Sequence, residues 1–372
     1  MKILHTVQRY YPDSGGSEEV VKQVSEFLVS QGHDVTVLTS KSAQRNFTSF
    51  NGVKIVDFDL KGNNVFGVSG DIGGFNEFIR NGRFDIIMNY AAQIWSTDLF
   101  FNILPQIKAK KILVPCGYSA LGDPKYSEYF TQLPTILRQY DALVYLSPNY
   151  IDAKFGDQNK LANGVVIPNA ADENEFLNLT KGMFKKKFNI PTQNLIINVS
   201  NHSSLKGHRF FWNCTEQLKN EDSFGVLIGN PYFTGVKKWV KECYLECKIH
   251  STGAKRMLLE NLPRVDVVNA YLDADVFIFG SQVECSPLVM FESFASKTLF
   301  VTTDCGNVSD YSDVVCLVQN EAEAVAVVKK FLQNKEPFQE KLEKGFQLFK
   351  TTLNWNAISK QYEQLYLKLL GN

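Results

Sequence analysis

The sequence predicts an α/β protein made of two doubly wound, parallel-sheet domains. Three observations lead there. Short apolar runs bounded by charged residues and glycine recur along the chain, with helical patterns between them, which is the alternation that parallel sheets require. The chain has 372 residues, enough for two hydrophobic cores. It carries no internal repeat and no low-complexity tract that would suggest a solenoid or a disordered segment.

Composition narrows the function classes. Apolar residues make up 44% and charged residues 21%, the mix of an ordinary globular protein. Net charge is zero, so no long-range field favours nucleic acid or an anionic surface. Seven scattered cysteines, an odd number, suggest reduced thiols and a cytoplasmic setting. The opening MKILHTVQRYY lacks the apolar core of a signal peptide, and no run approaches a membrane span, so any membrane contact is expected to be peripheral. Cys243, Cys247 and His250 are spaced four and three apart. With no fourth ligand nearby in sequence, no metal is expected there.

In chain order, residues 2–7 form the first buried-strand candidate. Gly15 and Gly16 follow in a loop that opens a helix over residues 17–31, with Ser17 as cap and Glu18 and Glu19 in its first turn. Gly-Gly permits close backbone approach to a ligand, although it also serves plain turns. Further strand candidates cover residues 35–39, 53–58, 85–89, 111–115 and 142–146. Residues 62–74, rich in Gly and Asn, read as a flexible loop. The basic segment 179–191 reads as a solvated helix on a linker, with contact to an anionic lipid as the alternative. A second α/β region opens at strand 195–200. There Lys206 and Gly207 precede a helix, and strand 224–229 follows. His33 and His208 read as turn and surface residues.

The densest signal lies in residues 275–304. A strand over 276–279 leads into a loop over 280–285. Ser286 is an N-cap candidate with Pro287 at the first helical position, and the strand pattern resumes at 299–303. Leu288, Phe291 and Ala295 can form the helix's buried stripe. The amide groups of Leu288 and Val289, at the positive end of the helix dipole, suit an anion such as a diphosphate. Glu284 and Glu292 flank this start. Glu292 either holds a ligand, since a carboxylate can accept from both hydroxyls of a sugar diol, or lies on the polar face of its helix.

Glu284, Ser286-Pro287-Leu288 and Glu292 together resemble the E-x7-E signature of retaining GT-B glycosyltransferases, the GT4-like or group 1 family. Other segments agree with the resemblance. VVIPNAAD at 165–172 is similar to the family's domain-ending segment, Lys206-Gly207 to its phosphate grip, and Tyr271 with Ala274-Asp275 to its base-side helix. Trp355, Ile358, Tyr362 and Leu365 match the stripe of its terminal helix. The resemblance implies two Rossmann-like domains facing across a cleft: residues 1–172 on the acceptor side, 173–345 on the nucleotide-sugar side, and a helix over 346–372 returning to the first domain. It implies catalytic roles for Lys206 and Glu284. Donor binding falls to Gly15, Gly16, Asn201, Lys206, Ser286, Pro287, Leu288, Val289 and Glu292, with Glu292 on the ribose. The implied reaction moves a hexose-type sugar from a nucleotide diphosphate sugar to a glycan or lipid-linked acceptor, with no metal and no other cofactor required.

Three departures from the family pattern stand out. Asn201 replaces an arginine, whose charge Arg9 or Arg264 could supply. Cys116, in Pro115-Cys116-Gly117, replaces a first-domain histidine, for which Asp123 or His5 could stand in. In the Asp304-Cys305-Gly306-Asn307 turn only Gly306 survives. Two alternatives therefore stay open, a non-catalytic partner subunit of the same fold and a sugar-nucleotide epimerase.

Overall fold

The structure, a computed structural model, describes residues 1–177, 179–231, 237 and 243–371. The chain divides into two units by internal contact: Met1–Asn169 with Trp355–Asn372, and Ala170–Asn354.

The first unit is built on strands β1 (Lys2–Thr6), β2 (Asp34–Ser40), β3 (Ser49–Phe50), β4 (Val53–Phe58), β5 (Leu60–Asn63), β6 (Gly67–Gly70), β7 (Ile86–Tyr90), β8 (Lys110–Val114), β9 (Ala142–Tyr145) and β10 (Gly164–Val166). Eight of them make one sheet in the order β10-β9-β8-β7-β1-β2-β4-β3, parallel except for the short edge strand β3. β1 lies between β2 and β7, with Ile3 opposite Val35 on one side and Ile86 on the other. A strand paired on both edges and covered on both faces is buried along its length, so Ile3 and Leu4 are fully buried and the polar His5 and Thr6 beside them are buried with hydrogen-bond partners. The Trp355–Leu370 helix packs on the Gly16–Ser30 helix in this unit and buries Trp355, Ile358, Tyr362 and Tyr366.

The Gly- and Asn-rich segment expected to be a loop is structured. β5 and β6 form an antiparallel hairpin, and a helix begins at Ile72. Gly62 has φ +102, and a β-carbon on it would lie 2.1 Å from the Gly67 carbonyl oxygen. Asn63 Oδ1 accepts from the amides of Val65 and Phe66, both at 3.0 Å, and closes the turn. The composition reflects turn chemistry and close strand approach rather than freedom.

The second unit carries β11 (Asn194–Val199), β12 (Ser223–Ile228), β13 (Arg256–Leu259), β14 (Val276–Phe279), β15 (Leu299–Thr302) and β16 (Cys316–Leu317). All are parallel, in the order β13-β12-β11-β14-β15-β16. Alternate residues feed opposite cores. Leu195, Ile197 and Phe277 join Phe291, Phe294 and Tyr271 on one face, while Ile196, Val276 and Ile278 join Phe211 and Trp212 on the other. The chain leaves β11 toward β12 on one side, and β14 occupies the other, so the sheet's switch point lies between β11 and β14. Ligands of open α/β sheets bind at such a point, beyond the strands' carboxyl ends. No helix among the described residues is long and apolar enough to cross a membrane.

Candidate functional site

The loops that leave β11 and β14 carry most of the expected site residues. Residues 200–207 follow β11 and residues 280–287 follow β14, so the switch point brings Lys206 beside Glu284 although 78 positions separate them. Lys206 Nζ donates to Glu284 Oε1 at 2.7 Å, and Ser281 Oγ donates to the same oxygen at 2.7 Å. Two backbone features hold the loops together. The Gln282 amide donates to the Leu205 carbonyl at 2.8 Å. Gly207 has φ +66, and a β-carbon there would stand 1.9 Å from the Gly280 carbonyl oxygen. Only glycine meets both demands. Gly306, after β15, closes the other side: a β-carbon on it would lie 2.8 Å from Cys285 O and 3.0 Å from Glu284 Cβ. Asn307 Nδ2 donates to Ser286 Oγ at 3.1 Å.

The helix after β14 runs Leu288–Ser296, one residue later than expected, with Pro287 rather than Ser286 at its N-cap and no side-chain cap. Pro287 has no amide proton, so the open donors of the first turn are those of Leu288 and Val289. From Met290 to Ser296 every side chain is buried, and Leu288, expected in that stripe, is only half-buried. Glu292 is 7% exposed, which rules out its reading as a polar-face surface residue. Arg264 partners it: Nη2 donates to Glu292 Oε1 at 2.5 Å. The same guanidinium grips Glu175 in a fork, Nε at 3.0 Å from both oxygens and Nη2 at 2.6 Å from Oε2. The Glu292 and Glu175 carboxylates hold the Arg264 guanidinium firmly charged. Burial, and then the Glu292 charge, push the Tyr271 hydroxyl well up. One arginine thus serves two carboxyl groups.

Several expectations are corrected. Arg264 does not stand in for the arginine missing at Asn201, because it is bound to the two glutamates. Asn201 itself holds backbone, its Oδ1 accepting from the Asn230 amide at 3.2 Å. Arg9 Nε donates to Glu18 Oε1 at 2.8 Å, which engages it as well. The first helix starts at Gly16 with Gly15 as N-cap, not Ser17, and Glu18 lies over Gly15 so closely that a β-carbon would meet its Oε2 at 2.4 Å. His5 is fully buried on β1, with Nδ1 2.8 Å from Ser25 Oγ and Nε2 3.0 Å from Tyr366 Oη. Burial lowers its pKa to about 3, so it is a neutral core residue and replaces no histidine. Asp123 is an exposed cap whose Oδ1 accepts from the Lys125 amide at 3.0 Å. Cys116 sits at φ +57 in a turn anchored by the buried Asp152, which accepts from the Gly117 amide at 3.0 Å. Ala91 and Gln93, after β7, also have positive φ, so unusual backbone collects at this sheet's carboxyl edge.

His208 is 2% exposed rather than a surface residue. His250, the third residue of the suspected metal motif, stacks on Trp212. Cys243 and Cys247 instead meet His202 and His208, and these four are the candidate metal ligands among the described residues. A depression of about 930 Å³ in this unit is lined by Gly207, Gly280, Ser281, Gln282 and Asp304 but by neither glutamate of the pair.

The comparisons with known proteins bear on the family and the fold. Residues 181–346, most of the second unit, match the family profile described as glycosyl transferases group 1. No curated protein sequence matches the chain. Among solved structures, the chain is similar to sucrose-phosphate synthase from Thermosynechococcus elongatus, with TM-score 0.81 and 15% identity over 100% of this chain and 99% of that one. A glycosyltransferase from Rickettsia africae ESF-5 aligns with TM-score 0.77 and 16% identity over 100% and 99%. Anabaena HepE in complex with UDP-glucose aligns with TM-score 0.77 and 13% identity over 99% and 100%. The fold is GT-B. Glu175 was missed from sequence, and Arg264 was named there only as a stand-in for the arginine absent at 201, because an ion pair across 89 residues leaves no local spacing.

Proposed function

We propose that the protein is a glycosyltransferase that moves a hexose-type sugar from a nucleoside diphosphate sugar to a glycan or lipid-linked acceptor, with retention at the anomeric carbon and without a required metal. One observation carries the reading. A buried glutamate, held by a shared arginine, and a lysine paired with a second glutamate flank an uncapped helix start at a switch point. Glu292 accepts from the ribose hydroxyls, since a carboxylate has about four lone-pair sites and Arg264 uses few of them. As the sugar's anomeric bond to the diphosphate breaks, charge builds on the leaving oxygens. Lys206 and the Leu288 and Val289 amides stabilise it, each positive group supplying roughly 3–4 kcal/mol. Glu284 releases the lysine to the phosphate and faces the sugar. The likeness to a structure holding UDP-glucose supports a uridine donor. Reduced cysteines support a cytoplasmic protein, with any membrane contact peripheral.

Titration with UDP, GDP, ADP and TDP by calorimetry tests the reading. One nucleotide is expected to bind, and Glu292→Ala to weaken it by about 1.5–3 kcal/mol through lost charged hydrogen bonds. Lys206→Ala is expected to depress turnover more than donor affinity. Unchanged affinity in Glu292→Ala removes the ribose assignment. Cys116 and Asn201 favour a second reading, a non-catalytic partner subunit, for which the wild-type protein would bind nucleotide but neither transfer nor hydrolyse the donor.

A further inference from the structure

The geometry points to a structural zinc site formed by His202, His208, Cys243 and Cys247 in the second unit. One ligand atom from each lies within 4.8 Å of the other three. His202 follows β11, His208 opens the His208–Gln217 helix, and the cysteines sit at the N-cap and in the body of the Tyr244–His250 helix. His208 Nδ1 is 3.2 Å from Cys243 Sγ and 3.3 Å from Cys247 Sγ, and His202 Nδ1 is 3.7 Å from Cys243 Sγ. A tetrahedral zinc ion, with Zn–S of about 2.3 Å and Zn–N of about 2.0–2.1 Å, needs S···N edges of about 3.5 Å. The observed distances bracket that value. Coordination across a helical turn also suits the cysteines, which at four residues apart are poorly placed for a disulfide.

The surrounding hydrogen bonds orient His208 as a metal ligand. Asn198 Nδ2 donates to the Ile278 carbonyl at 2.8 Å, which turns Asn198 Oδ1 toward Ser200. Ser200 Oγ donates to that oxygen at 2.7 Å, so it must accept from His208 Nε2 at 2.8 Å. The proton of His208 is therefore on Nε2, and the bare Nδ1 lone pair points at both sulfurs. Cys247 can donate to that lone pair and Cys243 to the Ser203 carbonyl at 3.4 Å, so what fits an ion is the shared approach of both sulfurs to one ring nitrogen. A neutral imidazole oriented by an outer hydrogen bond is the usual state of a metal-ligating histidine. His202 is fully buried, and its Nε2 has no hydrogen-bond partner among the described residues.

Binding releases the two thiol protons, so two thiolates and one Zn²⁺ give a neutral centre, which burial tolerates. With four protein ligands and no open position, the ion is structural. It joins the loop of residues 200–208 to the Tyr244–His250 helix, and so fixes the loop that presents Lys206. The site itself does not depend on the glycosyltransferase reading.

Elemental analysis of the purified protein, and of apo-protein reloaded with zinc and dialysed, tests the proposal. About one zinc per chain is expected. Cobalt should give thiolate charge-transfer and tetrahedral ligand-field bands. His202→Ala and Cys247→Ala should lose the metal and the bands, whereas His250→Ala keeps both. Because the first two variants could misfold, the wild-type protein is also alkylated with and without chelator. Zinc should protect Cys243 and Cys247 but not Cys316. Failure of the reloaded wild-type protein to hold zinc or give tetrahedral cobalt bands, or zinc-independent alkylation of both cysteines, overturns the proposal. Both results are independent of nucleotide binding and turnover.

Discussion

Asp98 is a buried carboxyl outside the donor site, and its charge makes the fold pH-sensitive in a way that can be measured. It accepts from the Tyr129 hydroxyl at 3.0 Å and from the Asn64 amide at 2.9 Å. Burial outweighs those bonds and raises its pKa to about 6. A pKa raised by folding means the protonated form is the favoured one. Its stabilising contribution is complete below the unfolded value, near 3.8, and is lost as pH rises through about 6. Asp98→Asn removes that loss at the fixed cost of one acceptor. Relative to wild type, the variant should gain about 2–3 kcal/mol between pH 4 and pH 7. Denaturant midpoints across that range check this, and a pH-independent difference sinks it. Glu292 offers the contrast of a buried carboxylate kept by a partner. The glutamate spacing singled it out as a candidate, but its pairing with Arg264 left no mark in the sequence, because ion pairs between distant segments follow no local period. The metal cluster divides the same way. Cys243 and Cys247 share one helical turn and are visible together, whereas His202 and His208 lie 41 and 35 positions from Cys243.

Elements were legible in proportion to how fully the sheet buries them. β14 is a continuous apolar run and β4 mixes apolar with polar residues, and both occupy the residues expected of them. The short β3, β10, β13 and β16 were missed, since two to four residues at or near a sheet edge offer little pattern. The β5–β6 hairpin was missed because its glycines answer to backbone contact rather than to hydropathy. The same kind of contact governs the donor loops. Gly207→Ala would put a β-carbon against the Gly280 carbonyl and force a left-handed residue, the latter alone costing about 1–2 kcal/mol. The loops should part, with lower stability and weaker nucleotide binding together. Gly122→Ala, at an exposed position with nothing within 4 Å, is the control and should change neither. Chemical denaturation and calorimetry on both variants decide it. Full nucleotide affinity in a folded Gly207→Ala protein would show that loop contact does not shape the site.

At the scale of the whole molecule, each unit has its own sheet and its own hydrophobic clusters, and the chain crosses between them at 169–170 and again at 354–355. Each core can therefore open with its own free energy, and a ligand stabilises the parts whose opening destroys its site. Nucleotide at about 100 times its dissociation constant should stabilise the bound state by about 2.7 kcal/mol. If the donor's ribose and phosphates bind as proposed, hydrogen-exchange protection should concentrate in residues 200–207, 264–271 and 281–292. All three segments belong to the second unit and hold the Lys206–Glu284 and Arg264–Glu292 pairs. The strands around His5 should change little, because that histidine is already sealed between Ser25 and Tyr366. Exchange followed by mass spectrometry, with and without the best-binding nucleoside diphosphate, measures this directly. Protection confined to the first unit would move the nucleotide away from both glutamates, and with them the assignment of every donor-binding residue in the second unit.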